Sequence, residues 1–256
     1  GDGVSYEFAQ DIIEKVSKEY TLSKEHQYIF AGLPSETEHN MSQLYIDSGT
    51  VVKDKQDREA YLLKQNKDKS IGFIDLEKVN ETSDKEHYLI CSYKDPDKLG
   101  ETYQHKALKY FDLVAGIFAT KIEQLFKNGY QNVYLVTDHG FVLTGILDNS
   151  DKIEVDFKGN VKISERFIRS ENKQKIDTNL LIEKEVVYNN FNYSYFAKRL
   201  GPFKSTGVYG FSHGGLSPQE TIIPFLKWSN DNNTQDQLQV VISNKKDLND
   251  VTGDLF

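Results

Sequence analysis

Asn132-Val133-Tyr134-Leu135-Val136-Thr137-Asp138-His139-Gly140 is the stretch from which the fold is read. An apolar, β-prone run passes directly into a hydroxyl, a carboxylate, an imidazole and a glycine. A strand buried on both faces of a parallel sheet reads as a near-continuous apolar run, and in an open α/β sheet the turn beyond its carboxyl end lines the ligand crevice. Working upstream, 103–128 has the 3.6-residue period of a crossover helix. Before it, His87-Tyr88-Leu89-Ile90-Cys91-Ser92-Tyr93 runs into Lys94-Asp95-Pro96-Asp97. Earlier still, Gln27-Tyr28-Ile29-Phe30-Ala31-Gly32-Leu33 runs into Pro34-Ser35-Glu36-Thr37, which opens a helix containing Met41, Leu44 and Tyr45. Repeated strand, turn and helix predict an α/β, doubly wound, mostly parallel sheet with helices on both faces.

Downstream of Phe141 the texture changes. From 145 to 199 the chain is polar and mixed, and reads as an inserted cap subdomain with short strands at Lys152–Phe157 and Glu185–Tyr188. Gly207-Val208-Tyr209-Gly210-Phe211 then leads to Ser212-His213-Gly214-Gly215, and the apolar Thr221-Ile222-Ile223-Pro224-Phe225 follows. The expected organisation is one domain over 1–228 and an extension or start of a further domain over 229–256, with a strand at Leu238–Ile242. The opening Gly1-Asp2-Gly3, with no Met before it, reads as part of a longer protein.

Composition narrows the class. The 256 residues are 38% hydrophobic and 27% charged, enough for one sizeable core. No apolar run approaches the roughly 20 residues that span a bilayer. Cys91 is the single cysteine, so a Cys-rich zinc site is excluded and any transition metal falls to His and carboxylates. A reducing, cytoplasmic setting fits. The net charge of -8 argues against an extended basic nucleic-acid-binding surface. A phosphate substrate is still compatible with it, because bound divalent cations supply local positive charge.

The chemistry-bearing residues cluster at the ends of the expected strands. Asp138 and His139 offer two metal-ligand types on adjacent residues, although an Asp-His pair is common in any protein. His213 precedes two glycines, a pattern that permits close backbone approach but also occurs in plain turns. Asp2 between glycines is read as a turn unless the other residues join it. Ser35 and Thr37 stand at a helix N-terminus, where backbone N–H groups favour an anion and where Ser and Thr are also ordinary caps. Ser35 is the expected cap. Arg166, Arg169, Lys198 and Arg199 are read chiefly as a solvated face.

Taken in order, Asp-Gly, Pro-Ser-x-Thr, Asp-His-Gly and His-Gly-Gly-Leu-Ser resemble the alkaline phosphatase superfamily. The ending from His213 to Pro224, with Glu220 in place, is similar to the PglZ domain. That resemblance implies two divalent metal ions, zinc foremost with manganese or magnesium as alternatives. It implies that Asp2, Thr37, Asp138 and His139 surround one ion, and that Asp97 and His213 hold the other. Asp95-Pro96-Asp97-Lys98-Leu99-Gly100-Glu101 resembles the Pro-Asp-x-x-Gly-His segment of nucleotide pyrophosphatases and phosphodiesterases, with Glu101 where that segment has His. His105, one helical turn on, is the preferred replacement and Glu101 the alternative. Pro34 to Asn40 is similar to the phosphodiesterase stretch in which the Thr attacks phosphorus and the Asn holds a phosphate oxygen. This implies Thr37 as nucleophile, with Ser35 as the alternative, and Asn40 as its helper.

The resemblance implies a metal-dependent phosphodiesterase acting on nucleotides or oligonucleotides, with protein partners in a phage-defence or signalling assembly. The competing expectations are a non-catalytic binding module of a larger assembly, and a phosphomonoesterase or phosphomutase of the same superfamily. A sulfatase is set aside, because Cys91 lies mid-strand without a Cys-x-Pro-x-Arg context.

Overall fold

The computed structural model describes residues 1–47, 49–80, 86–145, 147–204 and 210–230. The expected strand at Leu238–Ile242 and residues 207–209 of the expected run into Phe211 lie outside them. In chain order the elements are α1 (Tyr6–Lys15), β1 (Thr21–Leu22), β2 (Tyr28–Phe30), α2 (Thr37–Tyr45), α3 (Lys55–Gln65), β3 (Ile71–Asp75) and β4 (Tyr88–Ser92). Next come α4 (Asp95–Tyr103), α5 (Leu108–Lys127), β5 (Asn132–Val136) and β6 (Val142–Leu143). Then follow β7 (Val161–Ile163), β8 (Phe167–Ser170), β9 (Leu181–Lys184), β10 (Tyr193–Ala197), β11 (Phe211–Ser212), α6 (Pro218–Thr221) and β12 (Ile222–Ser229).

Local signals account for the main elements. Ser5 starts α1 by accepting the Phe8 amide at 3.1 Å, and Phe8, Ala9 and Ile12 form the buried face. α5 buries Phe111, Val114, Ala115, Phe118, Ala119, Ile122 and Leu125 at helical spacing. That stripe packs in one core with α1 and with Val133, Leu135, Leu226 and Trp228 of the sheet. A second, smaller core joins Ile168, Leu181, Tyr195 and Ala197 of the sheet β7-β8-β10-β9 to Ile153 and Phe203 outside it.

Strand direction departs from expectation. β3 and β4 are parallel, but β12 runs antiparallel to β5 along one edge and to β1 and β2 along the other. The sheets of the described residues are therefore small and mostly antiparallel. The physical reason is that an apolar run specifies burial and not direction: Thr221 to Phe225 reads as one more apolar segment, and it returns through the sheet against its neighbours. The strands expected at Lys152–Phe157 and Glu185–Tyr188 are also corrected. Those segments hold only the isolated bridges Ile153 with Phe203 and Tyr188 with Phe191, while the sheet forms from β7, β8, β9 and β10. Alternation in a polar stretch is matched equally well by neighbouring registers, and the buried Phe167, Ile168 and Tyr195 decide which one packs.

Candidate metal centre

Four loops meet at one point. The first residues lie between the ends of two strands: the Gly1 amine donates to Val136 O at 2.7 Å, and the Asp2 amide donates to Tyr93 O at 3.0 Å. This places Asp2 beside the turn after β5. Thr37 is the first residue of α2, Asp97 lies in the first turn of α4, and His213 follows β11.

Asp138 and His139 are fully buried. Gly140 is required next to them, because a Cβ there would stand 2.0 Å from Gln219 O. Asp138 Oδ1 accepts from Gly3 N at 3.2 Å, His139 N at 2.9 Å and Thr137 Oγ1 at 3.1 Å, whereas its Oδ2 accepts no hydrogen bond. His139 Nδ1 lies 2.9 Å from Gly140 O and His213 Nδ1 lies 3.1 Å from Ser35 O. A carbonyl only accepts, so both Nδ1 atoms carry protons and both Nε2 atoms are turned to the cluster. The two rings stack with centroids 3.9 Å apart.

His139 Nε2 is 3.0 Å from Thr37 Oγ1, 3.4 Å from Asp138 Oδ2 and 3.7 Å from Asp2 Oδ1. Thr37 Oγ1 also donates to Asp2 Oδ1 at 3.4 Å, and His213 Nε2 is 3.9 Å from Asp97 Oδ1. Two sets of three ligand atoms each lie within 4.8 Å of one another, Asp2-Asp138-His139 and Asp97-His139-His213.

The residues present fit divalent cations. Burial and the Asp138 charge push the Asp2 carboxyl up to about 8, against the pull of His139. Burial disfavours the His139 cation, yet Asp138, Asp97 and Asp2 raise it to about 9. Burial and the neighbouring His139 hold His213 below its ordinary value. Carboxylates this close demand positive charge, and Asp138 Oδ2 and Asp97 Oδ1 accept no hydrogen bond, each facing a histidine Nε2 at 3.4 and 3.9 Å.

The other sequence candidates take the following places. His105, in the 3-10 segment Gln104–Ala107, is in neither three-ligand set, and neither is Glu101. Burial and the Asp97 charge raise the Glu101 carboxyl, against the pull of His139. Ser35 is not the cap of α2: it is fully buried and donates to Gly215 O at 2.9 Å, and Glu36 occupies the cap position. Asn40 donates its amide to Gly32 O and Pro34 O, at 3.2 and 3.4 Å, so it ties the loop that presents Thr37.

Arg166 and Arg169 are not a solvated face, since both are buried. Arg166 binds both oxygens of Glu220 at 3.1 Å. Glu220 in turn accepts Gly215 N at 2.7 Å and Ser217 N at 3.1 Å, which folds the His213 to Ser217 loop around one carboxylate. Arg169 pairs with Glu36 beside Thr37 and lies 3.8 Å from the Tyr188 ring centroid. Glu165, raised to about 7 by burial and by the charges of Glu101 and Asp97, is a further acid near the cluster. An isolated Glu and two Arg in a polar stretch carry no spacing signal for any of these roles.

A family profile described as the BREX system PglZ alkaline phosphatase-like domain matches residues 97–228. The alkaline phosphatase-like protein PglZ of Bacillus cereus is 23% identical over 257 residues, covering 90% of this chain. The chain spans 30% of that relative's length. Among solved structures, murine ectonucleotide pyrophosphatase/phosphodiesterase 5 superimposes with a TM-score of 0.58 at 11% identity, covering 88% of this chain and 86% of the other. The same murine protein as an inactive threonine-to-alanine variant in complex with AMP gives 0.57 at 10% identity, covering 88% and 85%. At these identities the likeness is one of fold, which is alkaline-phosphatase-like.

Proposed function

The chain belongs to the BREX system PglZ alkaline phosphatase-like domain family, and from that premise we propose that it is a metal-dependent phosphodiesterase whose nucleophile is Thr37. The carrying observation is the position of the Thr37 hydroxyl, 3.0 Å from His139 Nε2 and 3.4 Å from Asp2 Oδ1, at the N-terminus of α2. Asp2, Asp138 and His139 would hold one divalent ion and Asp97 and His213 the other, with zinc the best match to imidazole and carboxylate donors. When bound, such ions lower the pKa of a hydroxyl and neutralise charge on phosphoryl oxygens.

The chain's own residues supply the rest. Thr37 Oγ forms the bond to phosphorus as the bond to the leaving oxygen breaks on the far side, and Asp2 Oδ1 is placed to take the hydroxyl proton. Water then cleaves the threonyl phosphate, releasing a monoester and restoring the hydroxyl. The N-terminal amides of α2 favour the negative phosphoryl group. Ser35, turned to Gly215 O, has its hydroxyl engaged away from the cluster. The role proposed for Asn40 on a phosphate oxygen requires its amide to leave the Gly32 and Pro34 carbonyls.

Nucleotide substrates are proposed because a fold neighbour was solved as an inactive threonine-to-alanine variant in complex with AMP. The 145–199 segment as a cap that limits substrate size, a cytoplasmic location, and protein partners in a phage-defence assembly belong to the same proposal. Among the described residues no helix is long and apolar enough to cross a membrane. The test is release of nucleoside monophosphate from dinucleotides by the zinc- or manganese-loaded chain, beside monoester controls. Turnover should fall by about three orders of magnitude or more in Thr37→Ala. Full activity in that variant, with loss in Ser35→Ala, moves the nucleophile to Ser35. Turnover of monoesters alone replaces the phosphodiesterase with a phosphatase.

A further inference from the structure

α2 carries Thr37 to the cluster, yet little in its own sequence fixes it there. Its cap residue is Glu36, whose side chain makes no hydrogen bond to the first turn, where Ser, Thr, Asp or Asn would ordinarily supply one. Its buried residues are Asn40 and Ser42, both polar, so no buried apolar stripe anchors the helix. A helix with so little apolar burial takes its position from polar ties, and the two nearest Thr37 come from far along the chain.

Arg169 of β8 pairs with Glu36, immediately before Thr37, and the Tyr188 hydroxyl donates to Glu38 Oε2, immediately after it, at 2.7 Å. The two side chains are also joined to each other. The Arg169 guanidinium lies 3.8 Å from the Tyr188 ring centroid and 5.0 Å from that of Phe167. Arg169 is fully buried, and its Nε and Nη1 make no hydrogen bond, so the guanidinium is held by Glu36 and by the rings. β8 is an interior strand of its sheet, paired with β7 and β10, so Arg169 projects from a fixed backbone. The same strand abuts the other side of the cluster, where a Cβ on Gly214, next to His213, would stand 2.7 Å from the Phe167 ring.

We infer that Arg169 and Tyr188 are positioning residues for Thr37: by gripping the carboxylates on either side of it, they set the first turn of α2 so that the Thr37 hydroxyl stays 3.0 Å from His139 Nε2. The inference rests on the reading of Thr37 as nucleophile. It goes further by giving the 145–199 segment a part in the attack on phosphorus, beyond limiting substrate size. Each residue acts through a glutamate, and the glutamates act through the backbone that flanks Thr37. Displacement is sensitive to such placement, since misplacing an attacking atom by about 1 Å can lower the rate about 100-fold.

The test uses Tyr188→Phe, which removes one hydroxyl and keeps the ring on Arg169, and Arg169→Lys, which keeps the charge and loses the planar face. In the zinc-loaded chain with a dinucleotide substrate, each should lower kcat by about tenfold, with KM and zinc affinity within about twofold of the parent. In a Thr37→Ala background neither should lower the residual turnover further, because a loss carried through Thr37 is then already complete. An unchanged kcat, or the same fall with and without Thr37, overturns the inference. Where Arg169→Lys fails to fold, Tyr188→Phe alone decides. A second readout needs no turnover: the 13C-labelled Thr37 methyl resonance should shift or split in both variants, while that of Thr120, exposed on α5, stays in place. A Thr37 resonance that does not move overturns the inference whatever the kinetics. A parent that turns nothing over, with a resonance that moves in the variants, overturns the phosphodiesterase reading and supports the positioning of Thr37.

Discussion

Asp138 turns one oxygen to three donors, while the other, fully buried, accepts no hydrogen bond and has only His139 Nε2 near it at 3.4 Å. An oxygen in that state is costly unless something positive meets it. Asp138→Ala should therefore weaken zinc binding by more than the roughly 10–100-fold lost when a residue merely orients a ligand, as read by titration calorimetry. On the proposed mechanism, Thr37→Ala should keep zinc binding within a few fold while losing turnover, since it removes the proposed attacking oxygen and leaves the carboxylates and imidazoles in place. The two variants thus report separate steps. Glu220 gives a pH prediction away from the metal ligands. Burial works against its ionised form, but Arg166, Ser217 and the Gly215 amide outweigh it and hold the carboxyl below its ordinary 4.5. The folded state then binds this proton less readily than the unfolded chain. The stabilisation is complete above pH 4.5 and is lost as pH falls through the depressed folded value. Denaturant unfolding between pH 7 and 3 should show that acid-side loss in the parent, and Glu220→Ala should flatten it. At neutral pH Glu220→Ala should cost roughly 3–5 kcal/mol, because it leaves Arg166 buried without its partner.

At the scale of elements, the site is held by a row of aromatic rings. Phe8 of α1, Phe111 of α5, Phe141 after the Asp138-His139-Gly140 turn and Phe211 of β11 follow one another at centroid spacings of 5.0, 5.2 and 4.8 Å. The row links the two helices to both histidine-bearing loops. Phe111→Ala removes a buried ring from its middle and should cost about 3–5 kcal/mol in denaturant unfolding. Because it loosens Phe141, zinc affinity should fall with it, and rescue by Phe111→Leu should restore more stability than zinc affinity. The 145–199 segment reaches α2 in a comparable way, through Arg169 of β8 to Glu36 and through Tyr188 to Glu38 at 2.7 Å. The N-terminus of α2 is thus held by two pairs from a segment more than 120 residues away in the chain.

At the scale of the molecule, the candidate ligands come from the first residues, α2, α4, the turn after β5 and the loop after β11, so an ion bound there would tie distant segments together. Ion binding to the folded state alone should raise the melting temperature, by about 2.7 kcal/mol of stabilisation at 100 times Kd. A thermal scan with zinc should show the rise in the parent and in Thr37→Ala. The rise should be absent in Asp138→Ala and reversed by a chelator.

The sequence by itself determined where chemistry is offered: Asp138, His139 and His213 stand on turns directly after apolar runs, and Asp97 on the turn that opens α4, because local patterning shows where strands end and which side chains follow. It also determined the main crossover helix, whose apolar stripe is periodic enough to be read without partners. Strand direction, the register of the second sheet, the ion pairs of Arg166 and Arg169, and the engagement of Ser35 with Gly215 were decided only by the tertiary structure. Each depends on a partner far away in the chain. An apolar run is the same in either direction, and an arginine in a polar stretch looks solvated until a buried carboxylate some 50 to 130 residues distant is brought against it.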